Sequence, residues 1–250
     1  TKEREGVFMA DNRKEQERDE LHRTIWGIAN DLRGSVDGWD FKQYVLGMLF
    51  YRYISENFAN YINDGEREAG DATFDYAQLS DSDAEQARDD LIKTKGFFIL
   101  PSQLFCSVRS RAPLDENLNE TLEAVFQAIE DSAKGSDSEA NFSGLFDDID
   151  VNSNKPGGTV AERNKRLVKL MNGVGDMKLG DYRDNTIDAF GDAYEYLMGM
   201  YASNAGKSGG EYFTPQEVSE LLTRIAVAGK TEVNKVYEIK PRYLIQNTAA

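Results

Sequence analysis

The sequence predicts a mainly α-helical protein. Apolar residues recur at three- and four-residue spacing in segment after segment, which is the signature of helices with one buried face. Ser/Thr-x-x-Glu pairs of the capping-box kind stand at several segment starts. With 40% hydrophobic and 29% charged residues, the chain also has enough apolar side chain to bury a real core.

Leu21, Ile25, Ile28, Ala29 and Leu32 define the first helix. From Asp40 to Ile62 the apolar set is Phe41, Tyr44, Val45, Met48, Tyr51, Ile54, Phe58 and Tyr61. Leu46, Leu49, Phe50 and Tyr53 add a second face, so this helix is expected to be central and buried nearly all round. Ser82 and Glu85 read as a capping box that opens a helix closing at Lys93, Lys95 and Gly96. "FFILPSQLF" is an extended run into Pro101, followed by a short helix. Leu118, Leu122, Val125 and Ile129 mark a further helix that stops near Gly135. Residues 134–158, rich in Gly, Ser, Asn and Asp, read as loop. Thr159 with Glu162 caps a helix carrying Leu167, Leu170 and Met171, and "GVGDMKLGDY" reads as a turn region. Ile187, Phe190, Tyr194, Leu197 and Tyr201 form another amphipathic helix.

Composition narrows the function classes. At 250 residues the chain holds one large domain or one and a half ordinary ones. No apolar run approaches the ~20 residues of a membrane span, and the charged first twenty residues carry no signal-peptide pattern, with Met9 a candidate start. One cysteine, Cys106, excludes an intrachain disulfide and a cysteine zinc site, and a reducing cytoplasm is the expected compartment. A net charge of −15 repels phosphates, so any role on DNA requires a basic partner or a further basic domain.

The loop "DDIDVNSNK" resembles a calcium loop only at first sight. Begun at Asp148, it places Ser153 and Thr159 where Gly and a carboxylate belong; begun at Asp150, it places Lys155 and Ala161 there. His22, the only histidine, has no partner at metal or triad spacing and reads as a helix-surface or partly buried residue. "GKS" at 206–208 fails as a phosphate loop: the required glycine falls at Tyr201, Gly199 is two residues early, and the preceding segment is helical. Next to it, "EYFTPQE" carries an N-cap at Thr214, Pro215 at the first helical position and Glu217 at the third. Val218, Leu221, Leu222 and Ile225 supply the expected buried stripe of that helix, and Gly229 ends it. A capped helix alone accounts for this stretch; the functional alternative is that its N-terminus faces a carboxylate or phosphate, with Gly206, Gly209 and Gly210 allowing close approach.

"AGKSGGEYFTPQEVSELL" resembles the start of the methyltransferase domain in modification subunits of type I restriction-modification systems, which are N6-adenine DNA methyltransferases. "LHRTIWGIANDLRGSVDGWDFKQYVLGMLFYRYISENF" (21–58) is similar to that family's helical N-terminal domain, and residues 144–215 are similar almost throughout. The resemblance implies a mainly α chain: a helical N-terminal domain, then the truncated start of an α/β, Rossmann-like, S-adenosylmethionine-dependent methyltransferase domain. The implied division is a charged segment at 1–20, the helical domain at 21–180, the methyltransferase start at 181–237 and a non-family tail at 238–250. Carried over position by position, Glu211, Tyr212, Phe213, Thr214, Pro215 and Gln216 are the expected contacts to S-adenosylmethionine, near its methionine end.

After the expected first strand, "KVY" at 235–237, the family continues Asp-Pro-Ala-Cys-Gly-Ser-Gly, whereas this chain reads "EIKPRYLIQNTAA". An Asn-Pro-Pro-aromatic motif is also missing, since the prolines at 101, 113, 156, 215 and 241 are isolated. No catalytic residue and no metal ligand are therefore expected, and the chain is expected to be inactive alone, with weak or no cofactor binding. The implied partners are a specificity subunit, a restriction subunit, a second modification subunit, and DNA reached through that assembly, with no membrane. The helical domain is then a docking and DNA-clamping module. Two other readings remain at this point: a stand-alone acidic helical interaction module, and a nucleotide-binding enzyme using "GKS".

Overall fold

The computed structural model describes residues 16–28, 38–177, 189–202 and 216–229. Among these every regular element is helical, and the chain divides into two compact units, Thr1–Asn204 and Ala205–Ala250. The first unit is built on α2 (Gly38–Ala69), which packs against α5 (Phe105–Arg111), α8 (Val160–Asp176) and α9 (Ala189–Ala202). Residues 16–28 form α1, with Leu21, Ile25 and Ile28 buried at the predicted spacing.

Val45, Met48, Leu49, Tyr51 and Phe58 are fully buried along α2. The Tyr51 ring stands edge-on to Phe105 and Phe126, each at 5.4 Å, and its hydroxyl donates to the Gln103 carbonyl. Burial on all sides of α2 does not hold: Tyr53 and Tyr61 are more than two-fifths exposed, so one ridge of the helix faces solvent. A Cβ on Gly47 would lie 1.8 Å from Cδ1 of Ile149, a packed distance open only to glycine.

The 81–95 region is two helices, α3 (Asp81–Glu85) and α4 (Arg88–Lys95). Its cap is Ser80 rather than Ser82. The Ser80 hydroxyl accepts from the Asp83 amide and donates to the Asp83 carboxylate, which leaves Ser82 two positions too late. Gly96 closes α4 in the left-handed region, φ +84°, as its position after two lysines predicts.

Phe97, Phe98 and Ile99 are buried outside any regular element, and among the described residues no strand is there to pair with them. Side chains replace the missing ladder. In this run Ser132 Oγ accepts from the Phe98 amide at 2.9 Å; in the same way at helix starts elsewhere, Ser55 Oγ accepts from the Phe105 amide at 3.2 Å and Asn63 Oδ1 from the Tyr76 amide at 2.7 Å.

After α6 (Leu118–Ser132), the segment 134–158 predicted to be loop holds a short helix, α7 (Glu139–Phe142), and is otherwise irregular but anchored. Phe142, Phe146, Ile149 and Val151 are buried, Phe146 stacks on Phe126 at 4.3 Å, and Glu130 accepts from the amides of Gly144 and Phe146. Its polar composition conceals four apolar anchors too irregularly spaced to read as an element.

Thr159 caps α8 by accepting from the Glu162 amide at 3.2 Å, as predicted. The helix then runs through Gly173 and Gly175 to Asp176, so the first part of "GVGDMKLGDY" is helix, not turn. Both glycines are packing sites: a Cβ on Gly173 would lie 2.5 Å from Ile28, and one on Gly175 would lie 2.3 Å from Arg109. In α9, Ala193 and Leu197 are fully buried, whereas Tyr194 is 46% exposed and off the buried stripe.

Candidate functional site

The predicted cofactor contacts fall mostly outside the described residues. Glu211, Tyr212, Phe213, Thr214 and Pro215 lie there, as does the expected strand at 235–237; Gln216 is the first residue of α10 (Gln216–Val227). The end of α10 is described: the Ala228 amide donates to the Ile225 carbonyl at 3.3 Å and Gly229 turns with φ +73°. The start of an α-helix presents N–H donors and the positive end of its dipole, and in α10 that start is Gln216. That chemistry suits a carboxylate such as the methionine end of the expected cofactor.

The stripe predicted to be buried on α10 is not. Val218, Leu221, Leu222 and Ile225 are 43%, 57%, 58% and 64% exposed. The spacing set one apolar face correctly, but burial requires a second element against it, and α10 is the one regular element described in its unit.

Elsewhere the ionisable side chains serve structure. Among the described residues no group of three His, Cys, Asp or Glu side chains is placed to hold a metal ion. In the loop that resembles a calcium site at first sight, Asp150 accepts from the Asn152 amide, and Asn152 donates to Glu123. His22 is partly buried and stacks on Tyr196 at 3.9 Å, beside the Arg18–Asp192 ion pair of 3.0 Å. Burial holds its pKa below the ordinary 6.5, against the opposing pull of Asp192 and Asp19. Burial likewise raises the Tyr51 and Tyr76 hydroxyls, which stay protonated and donate to backbone carbonyls.

Two arginines missed in the sequence grip the end of α8. Arg52 donates to the carbonyls of Val174 (2.7 Å) and Met177 (2.8 Å), and Arg109 donates to Asn172 and Asp176. They sit 63 to 125 residues from their partners, so no local signal could have found them.

Comparison with known proteins agrees with this architecture. The HsdM N-terminal domain family matches residues 21–174, and the N-6 DNA Methylase family matches residues 185–240. The chain is 46% identical over 236 residues to the type I restriction enzyme MpnII methylase subunit of Mycoplasma pneumoniae, covering 92% of this chain and 43% of that protein. It is 21% identical to the MjaIX methylase subunit of Methanocaldococcus jannaschii, covering 82% and 35% respectively. Its fold is similar to the crystal structure of a type I restriction-modification system methyltransferase subunit from Streptococcus thermophilus. That likeness has a TM-score of 0.66 at 28% identity and covers 85% of this chain and 44% of that one. The chain thus spans less than half the length of these relatives.

Proposed function

This chain belongs to the HsdM N-terminal domain family of type I restriction-enzyme methylase subunits, and from that membership we propose that it is the helical part of an adenine-N6 DNA methyltransferase. In the whole protein a methyl group passes from S-adenosylmethionine to the N6 amine of an adenine flipped out of the duplex. The observation that carries this reading is the order of the two family matches, helical domain at 21–174 and methylase at 185–240, along one chain. The same order disfavours a stand-alone interaction module.

The helical domain (21–180) docks the subunit into its assembly and helps close it on DNA, and residues 181–237 begin the methyltransferase domain. Its partners are a specificity subunit, a restriction subunit and a second modification subunit, which supply the phosphate contacts that a chain of charge −15 cannot. Work on DNA places the assembly in the cytoplasm; no described helix is long and apolar enough to cross a membrane.

Glu211, Tyr212, Phe213, Thr214, Pro215 and Gln216 line one wall of the cofactor site. A single wall binds weakly, because each ~1.4 kcal/mol of lost contact is tenfold in affinity. Calorimetry of this chain with millimolar S-adenosylmethionine is therefore expected to be nearly flat. The whole modification subunit with its specificity subunit is expected to bind the cofactor and to leave N6-methyladenine in DNA digests. Methylated cytosine, or no DNA methylation by that assembly, would overturn the reading.

A further inference from the structure

Beside the exposed ridge of α2 runs a groove of about 760 Å³ between α2 and α4. Tyr53, Asn57 and Tyr61 lie along one side at four-residue spacing, with half-buried Ile62 and Leu91 as apolar floor. Asp64, Glu66 and Glu68 rim one end; Asp64 is paired with Arg67 at 3.3 Å, and the Lys95 ammonium sits 4.3 Å from the Tyr61 ring centre, which leaves Glu66 and Glu68 to carry most of the negative charge. The groove is therefore aromatic, apolar at its base and negative at its edge.

Gly65 adds an independent observation. Glycine in a helix interior lowers helix stability, so each one calls for a reason. Gly47, Gly173 and Gly175 have theirs, since a Cβ would strike Ile149, Ile28 or Arg109. Gly65 lies within α2 and lines the groove, yet among the described residues a Cβ there would meet nothing within 4 Å. Gly27 of α1 meets nothing either, so Gly65 marks only where the groove wall leaves room for a backbone to come close.

We propose that this groove is a docking site for a lysine- or arginine-rich amphipathic helix of a partner protein, laid along the α2 tyrosine ridge with its backbone against Gly65. The helix-in-groove mode supplies affinity through aliphatic anchors over Ile62 and Leu91, and the acidic rim supplies orientation and salt dependence. Nucleic acid is repelled by the same rim, and a second copy of this chain, itself strongly acidic, is a poor charge match. The proposal rests on the subunit reading above and names the surface used.

The test titrates the chain separately with the specificity and restriction subunits of its own system. Gly65→Leu and Glu66→Lys/Glu68→Lys are compared with wild type, with melting temperature measured alongside. One subunit is expected to bind wild type, more weakly at high salt, and at least tenfold more weakly to either variant, with melting temperatures unchanged or raised. A photo-crosslinker at Asn57 is expected to mark a basic helical segment of that subunit. If neither subunit binds wild type, the subunit reading falls and this proposal with it. If wild type binds but both variants bind equally well, or the crosslink lands on DNA or an acidic segment, the proposal alone is overturned.

Discussion

Arg52 shows how one residue can join distant parts of the chain. Its side chain is 11% exposed, and its guanidinium satisfies two carbonyls at the end of α8 and pairs with Glu56 at 2.6 Å. Hydrogen bonds to charged groups contribute about 1.5–3 kcal/mol each, and removing the donor strands its acceptors. Arg52→Met is expected to lower unfolding free energy by roughly 2–3 kcal/mol in urea titration; a loss below ~0.5 kcal/mol would mean that water replaces the guanidinium. His22 makes a second prediction. Its folded pKa lies below the unfolded 6.5, so its neutral form contributes stability that is fully present above pH 6.5. That contribution falls away as the pH drops from 6.5 through the folded value, beside Asp19, Asp192 and Arg18. As the sole histidine, it gives one imidazole resonance whose titration midpoint is expected below 6.5, and His22→Gln is expected to flatten this part of the stability profile.

At the scale of the helix, the same substitution is expected to act with opposite signs at two glycines. Alanine is the better helix former by about 0.5–1 kcal/mol. Gly65→Ala meets open space and is expected to stabilise α2 by that amount. Gly173→Ala would drive a Cβ to 2.5 Å from buried Ile28, and overpacking of this kind costs about 1–3 kcal/mol. Its net effect is expected to be destabilising. Thermal melts of the two variants check the pair; destabilisation by Gly65→Ala would point to strain in α2 that the open space does not reveal.

For the whole molecule, α9 is the informative element. It lies within the N-6 DNA Methylase match, yet it packs on α2, buries Ala193 and Leu197, and receives Arg18 and His22 from α1. A chain running from Ala10 to Asn204 is therefore expected to melt cooperatively and higher than one ending at Gly180, which loses that cover. Equal melting temperatures would show that α9 adds nothing to the helical core.

The sequence by itself determined the helices, most caps and the family. Those signals are local or cumulative: the Val45/Met48 and Leu167/Leu170 stripes, Thr159 before Glu162, Gly96 after two lysines, and likeness sustained over much of the chain. Only the tertiary structure decided which apolar faces find a partner. Tyr61 and the Leu221/Leu222 stripe stay exposed, while Phe146 and Ile149, scattered through a polar loop, are buried. Only there do Gly173 and Gly175 read as helix, because their purpose is room for Ile28 and Arg109. The physical reason is separation: Arg52 meets the Val174 carbonyl across 122 positions, and spacing along one helix carries no information about the surface that will face it.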